Sequence, residues 1–224
     1  DDVDAAMQQL HGAMIKEPGT HAKGGSLWGA IRTPGFLMLG LVYFLIQVGS
    51  YGLNFWAPHL IRTSGITNPT TIGLLTAVPY VFGAIAMVLV GRVSDASGER
   101  RRYVAGLLAA AALGFFAAGL FDRQTGLLIL ALAVMGAGVV ASIPAFWALP
   151  PRILTGAGAA GGIALINTLG QLGGMVSPVM VGRIKDVTGS TTPALYAIGI
   201  ASGVCAVLVM KALPAAAMSA ARAP

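Results

Sequence analysis

Tyr43, Gln47, Tyr51 and Asn54 follow one another at steps of four, four and three residues inside a long apolar run. At about 3.6 residues per turn that spacing puts all four on one side of a helix. A second set lies further on, where Asn167 is followed at i+4 by Gln171, with Ile163, Gly170 and Gly174 on the same side. Phenols and amides donate and accept hydrogen bonds without carrying charge near neutrality. Their chemistry is recognition of a polar solute or bonding between packed helices, and the residues alone leave both readings open.

The groups that catalysis needs stand elsewhere. All eight carboxylates (Asp1, Asp2, Asp4, Glu17, Asp95, Glu99, Asp122, Asp186) and all fourteen Lys and Arg residues lie outside the apolar runs. His59 is alone near the end of its run, and Ser142 and Ser177 have no base within theirs. No Cys/His spacing suits a metal, and the lone Cys205 reads as a small core residue that can form no disulfide within the chain. The pattern predicts neither an enzyme nor a metal or cofactor protein, and it lacks the selectivity loop or charged ring of a channel.

The elements that position these residues follow from the charges. Charged residues make up 10% of the 224, where a soluble domain carries roughly 25%. Mean hydropathy is +0.79. The charge-free runs are 33–61, 63–91, 103–121, 124–151, 153–182 and 187–210, holding 29, 29, 19, 28, 30 and 24 residues. About 20 helical residues cross a hydrocarbon core of about 30 Å, and continuous apolar runs select helices over barrel strands. The fold class expected is therefore all-α integral membrane, one six-helix bundle over 33–213. Its spans are placed near 34–60, 69–91, 103–121, 125–149, 156–182 and 192–211, between a polar segment 1–32 and a tail 212–224.

An even number of spans puts both ends on one side. That side collects Lys16, Lys23, Arg32, Arg92, Arg100, Arg101, Arg102, Arg152, Lys211 and Arg222, against Arg62, Arg123, Arg183 and Lys185. The bias predicts cytoplasmic termini in a cell (plasma or inner) membrane. The net charge of +6 thus reports topology, and no separate basic domain is left to hold nucleic acid. The pairs Thr33-Pro34, Asn68-Pro69 and Thr192-Pro193 read as caps followed by Pro at the first helical position.

Gly91 to Arg102, GRVSDASGERRR, resembles the cytoplasmic-loop signature of the major facilitator superfamily. Gly91, Asp95, Gly98, Arg100 and Arg101 carry the likeness, with Ala96 where that family commonly has Arg or Lys. Tyr51 to Ile61, Pro79-Tyr80 and Phe146 to Ser190 make the match more specific. Together they resemble the C-terminal half of a member, most like the anion:cation symporters of sugar acids, tartrate or phthalate. The resemblance covers about Trp28 to Leu213 and implies symport of an organic anion with protons or sodium by alternating access. It also implies a partner, the N-terminal six-helix bundle, with residues 1–32 ending the central loop.

By the same resemblance the first and fourth spans line the cavity, the second and fifth form the interface between bundles, and the third and sixth are outer supports. Substrate contacts carry over to Tyr43 and Gln47, with Tyr51 and Asn54 on their face, to Trp147 of the FW segment, and to Asn167 of GIALIN, with Gln171 beside it. The residues leave room for another organisation, an independent six-helix half-transporter or an accessory subunit that binds another membrane protein.

Overall fold

In lipid, helices associate through close packing, so the small residues of this chain decide which spans meet. The computed structural model describes residues 29, 31–33, 35–154 and 158–212. Most of the polar segment 1–32 and almost all of the tail 212–224 lie outside the described residues. Six long helices span the described chain: α1 Phe36–Thr63, α2 Pro69–Ser97, α3 Arg100–Leu120, α4 Thr125–Trp147, α5 Ala159–Thr188 and α6 Thr192–Ala212. A one-turn helix, Pro150–Ile153, links α4 to α5. All six long helices meet the length and hydropathy needed to cross a membrane.

Glycines set the seams. Gly138 and Gly114 seat α3 against α4: a Cβ at Gly138 would overlap the backbone of Leu107 and Ala111, and one at Gly114 would fall 2.5 Å from the Met135 nitrogen. Gly136 lies under the Pro79 carbonyl and Gly83 under Val140, which brings α2 onto α4. Gly170, Gly173 and Gly174 do the same for α5 against Tyr43, Phe44 and Tyr51 of α1. The strongest pairings are accordingly α1 with α5, α3 with α4, α3 with α6 and α2 with α4.

These contacts give an alternating up-and-down order. Residues 43 and 51 of α1 meet 170 and 174 of α5, so those two run parallel, whereas Tyr43 meets Phe146 of antiparallel α4. The starts of α1, α3 and α5 gather at one end with the finishes of α2, α4 and α6. Burial is uneven. More than half of the apolar window is buried in α1, α3 and α4, but 11% in α2 and 28% in α5.

Helix ends depart from the charge-free runs where charge does not stop a helix. α2 continues through Asp95 to Ser97 and α5 through Lys185 to Thr188. A charge marks the edge of lipid, whereas the backbone goes on bonding in water. The three expected caps fare differently. Asn68 caps α2 by accepting from the Thr70 and Thr71 amides, with Pro69 first in the helix. α1 instead starts at Phe36 behind Gly35, whose φ of 98° only glycine adopts freely, and Thr33 Oγ1 donates to the Gly29 carbonyl. At α6 the Thr191 carbonyl accepts from Ala194 and Leu195, so Thr191 takes the cap position and the helix starts at Thr192, one residue earlier than expected.

Candidate functional site

Tyr43, Phe146 and Trp147 form an aromatic box at the junction of α1 and α4. Tyr43 stacks on Phe146 with ring centroids 5.0 Å apart and meets Trp147 edge-on at 4.8 Å. Its seat on α5 is Gly170, where a Cβ would overlap the ring. Any other residue at 170 would turn Tyr43 out of the box. Tyr43 is buried and Trp147 half-buried, so the indole is the more exposed of these two rings.

Two turns further along α1, Tyr51 lies over Gly174 and its hydroxyl donates to Oε1 of Gln171 across 3.2 Å. The bond fixes the amide, leaving its nitrogen free to donate outward. Gln171 and Asn167, one helical turn away, are both exposed, as is Asn54 at the next turn of α1. Gln47 is buried between the two tyrosines, and no partner meets its amide among the described residues. The candidate residues thus divide into buried Tyr43 and Gln47 with half-buried Trp147, a Tyr51–Gln171 bond, and exposed amides at Asn54 and Asn167.

The exposed side of α5 changes character along its length. Asn167, Thr168 and Gln171 come first, then Leu172, Met175, Val176 and Val179. A polar patch on an otherwise apolar exposed face suits a polar solute or a hydrogen-bonding neighbour, whereas the apolar stretch suits another helix or lipid. Beneath it, Ser177 Oγ donates to the Val48 carbonyl at 2.7 Å and ties α5 to α1.

The loop motif is built on the end of α2. Gly91 and Asp95 are helical, and Gly98 ends the helix with φ of 70°. Asp95 pairs with Arg100, the first residue of α3, and Glu99 with Arg102 at 2.8 Å. The basic run therefore holds its acids at the helix junction, and a carboxylate there also meets the positive end of α3. No described atom comes within 4 Å of a Cβ built at Gly91, so its close approach to a neighbour is not made within this bundle.

Phe146 was not among the site residues read from sequence, although its adjacency to Trp147 is the signal that would have found it. The glycine seats under Tyr43 and Tyr51 were legible only as small residues at four-residue spacing. Which ring each one carries depends on the α1–α5 pairing.

Residues 39–220 match the Major Facilitator Superfamily. A protein of Agrobacterium vitis named as a tartrate transporter is 44% identical over 162 residues, covering 71% of this chain and 35% of its own. A quinolone resistance transporter of Acinetobacter baumannii is 37% identical over 171 residues, 76% of this chain and 39% of its own. The inner membrane transport protein RhmT of Escherichia coli is 35% identical over 160 residues, 71% of this chain and 36% of its own. The matched part is thus little more than a third of each relative. A six-helix bundle with a polar patch on its α1–α5 side, matched over most of its length, belongs to the Major Facilitator Superfamily of membrane transporters.

Proposed function

We propose that this chain is the C-terminal bundle of a secondary transporter that moves a small organic anion, with protons or sodium, by alternating access. The observation that carries the reading is the Tyr51–Gln171 bond with exposed Asn167 one turn away, beside the Tyr43–Trp147 box. Such a surface offers neutral hydrogen bonds and an aromatic wall, which orient a carboxylate-bearing solute without fixing it irreversibly. One relative is named for tartrate, an organic anion.

An N-terminal six-helix bundle supplies what this one lacks. The thinly buried faces of α2 and α5 support a second bundle packing there, with α1 and α4 toward the cavity and α3 and α6 outermost. Proton coupling and anion binding call for a titratable group and a cation in the pathway, and no Asp, Glu, Lys or Arg lies inside the six charge-free runs. Those groups reside in the partner bundle. Cytoplasmic termini follow from the basic residues at that end, and an inner-membrane relative supports the same membrane for this chain.

The test is uptake of labelled tartrate into sealed vesicles holding the complete transporter, under an imposed proton or sodium gradient. Accumulation that collapses with the gradient is expected. Residues 1–224 reconstituted alone should accumulate nothing; gradient-driven uptake by that chain would make it an independent half-transporter.

A further inference from the structure

We propose that the cleft between the end of α1 and the start of α2 captures small carboxylate anions at the face opposite the termini, with Arg62 and His59 as its recognising groups. The inference rests on the organic-anion reading above. The cleft holds about 530 Å³, within the roughly 300–1,000 Å³ of small-molecule sites, and is lined by Phe55, His59 and Arg62 of α1 with Thr67, Pro69 and Ile72 beyond the turn. No acid lines it. Among the described residues, no acceptor meets the Arg62 guanidinium.

A third basic group stands beside the cleft. The His59 ring meets the Trp56 indole edge-on at 5.4 Å, and Lys185 Nζ of α5 lies 5.4 Å from the same indole's centroid. Trp56 itself does not line the cleft, but its indole holds Lys185 and His59 next to it, so the cluster carries excess positive charge. An acceptor-only ligand is the complement of such a group. His59 offers a ring N–H in either protonation state, and Arg62 matches a carboxylate with two parallel donors.

The cleft also leads somewhere. Arg62, His59, Phe55 and Tyr51 succeed one another at three- and four-residue steps, so they share one side of α1. Phe55 stacks on Tyr51 at 6.2 Å, and Tyr51 donates to Gln171. A solute leaving the cations meets phenyl, phenol and amide in turn. A basic mouth with low-dielectric walls focuses its field and raises encounter rates by about 10- to 1,000-fold, an effect that salt removes.

The headgroup of an anionic phospholipid shares this chemistry, and the test separates it from a free solute. The complete transporter is placed in sealed phosphatidylcholine vesicles with the face opposite the termini outward. Initial tartrate uptake is followed at about 0.01 M and about 1 M choline chloride with the proton and sodium gradients held constant, where the Debye length is about 30 Å and about 3 Å. Arg62→Gln should lower kcat/KM about tenfold at low salt, shrinking to within about twofold at high salt, with kcat unchanged and most of the rate kept by Arg62→Lys. Wild-type uptake should itself slow as salt rises, a reading that needs no variant to fold. Arg62→Gln behaving as wild type at low salt, an equal loss at both salts, or a flat wild-type salt response would overturn the inference. So would an effect that arises only when phosphatidylglycerol is added, which would make the cleft a headgroup site. A wild-type transporter that takes up no acid from a panel headed by tartrate would defeat the functional reading, and this inference with it.

Discussion

Helices α3 and α5 are both rich in small residues, yet they use them for opposite ends. Between Tyr103 and Phe121, α3 has no polar side chain, and 56% of its apolar window is buried against α4 and α6. Its seam with α4 is backbone on backbone: Gly114 faces the Met135 nitrogen, and Gly138 of α4 faces Leu107 and Ala111, while Gly119 lies under the Tyr196 ring of α6. In α5 only 28% of the window is buried, and Gly170 and Gly174 meet the side chains of Tyr43 and Tyr51. A backbone seam is rigid because neither chain can give way. Glycines under tyrosine rings instead form a platform that orients phenols beside the exposed amides of α5. The bundle therefore separates a stiff support from the surface we propose for recognition.

Labelling at the two ends of α3 is the largest expected effect, since it is all or none. Cysteines placed at Glu99 and Gln124 bracket that helix and should react with impermeant reagent from the cytoplasmic and the outer side respectively. Labelling of both from one face would remove α3 as a span and undo the comparison.

Gly138→Ala should cost the bundle about 1–3 kcal/mol, the usual penalty for overpacking, because its new Cβ meets only backbone. Thermal unfolding of the purified transporter reads the loss, and substrate affinity in the protein that remains folded should stay near wild type. Gly170→Ala should differ in its effect on affinity. The Tyr43 ring must shift, so stability again falls by about 1–3 kcal/mol, but tartrate binding also weakens several-fold as the aromatic box opens. If both variants lost stability equally and affinity not at all, the platform would be an ordinary packing seam.

Much of this division was legible in the amino-acid order. Charge-free runs set the number of helices, because a charge inside hydrocarbon is costly wherever it falls. The polar faces of α1 and α5 were legible too, since periodicity fixes which side chains of one helix share a side. What one helix does to another was not. Nothing in GQLGG says that Gly170 carries Tyr43 while Gly173 lies under the Phe44 carbonyl; that follows from the parallel register of α1 and α5. The shared face of Tyr43 and Asn54 likewise conceals a gradient, buried at Tyr43 and exposed at Asn54, set by where α4 and α5 end their cover. Trp56, His59 and Lys185 form one cluster although 126 residues separate the last two. Helix starts were misplaced at α1, where Gly35 and not Thr33 turns the chain.

Asn167 bears most directly on whether the α5 face meets solute. Its exposure beside the Tyr51–Gln171 bond leaves its amide without a partner among the described residues, so removing it should cost the folded protein little. Equilibrium tartrate binding and melting temperature would be measured together on the complete transporter carrying Asn167→Ala. Loss of one solute hydrogen bond, about 0.5–1.5 kcal/mol, should raise Kd roughly two- to twelve-fold with the melting temperature unchanged. Unaltered affinity with a lowered melting temperature would mean that Asn167 bonds helix to helix, and that the polar face of α5 is packing and not a solute site.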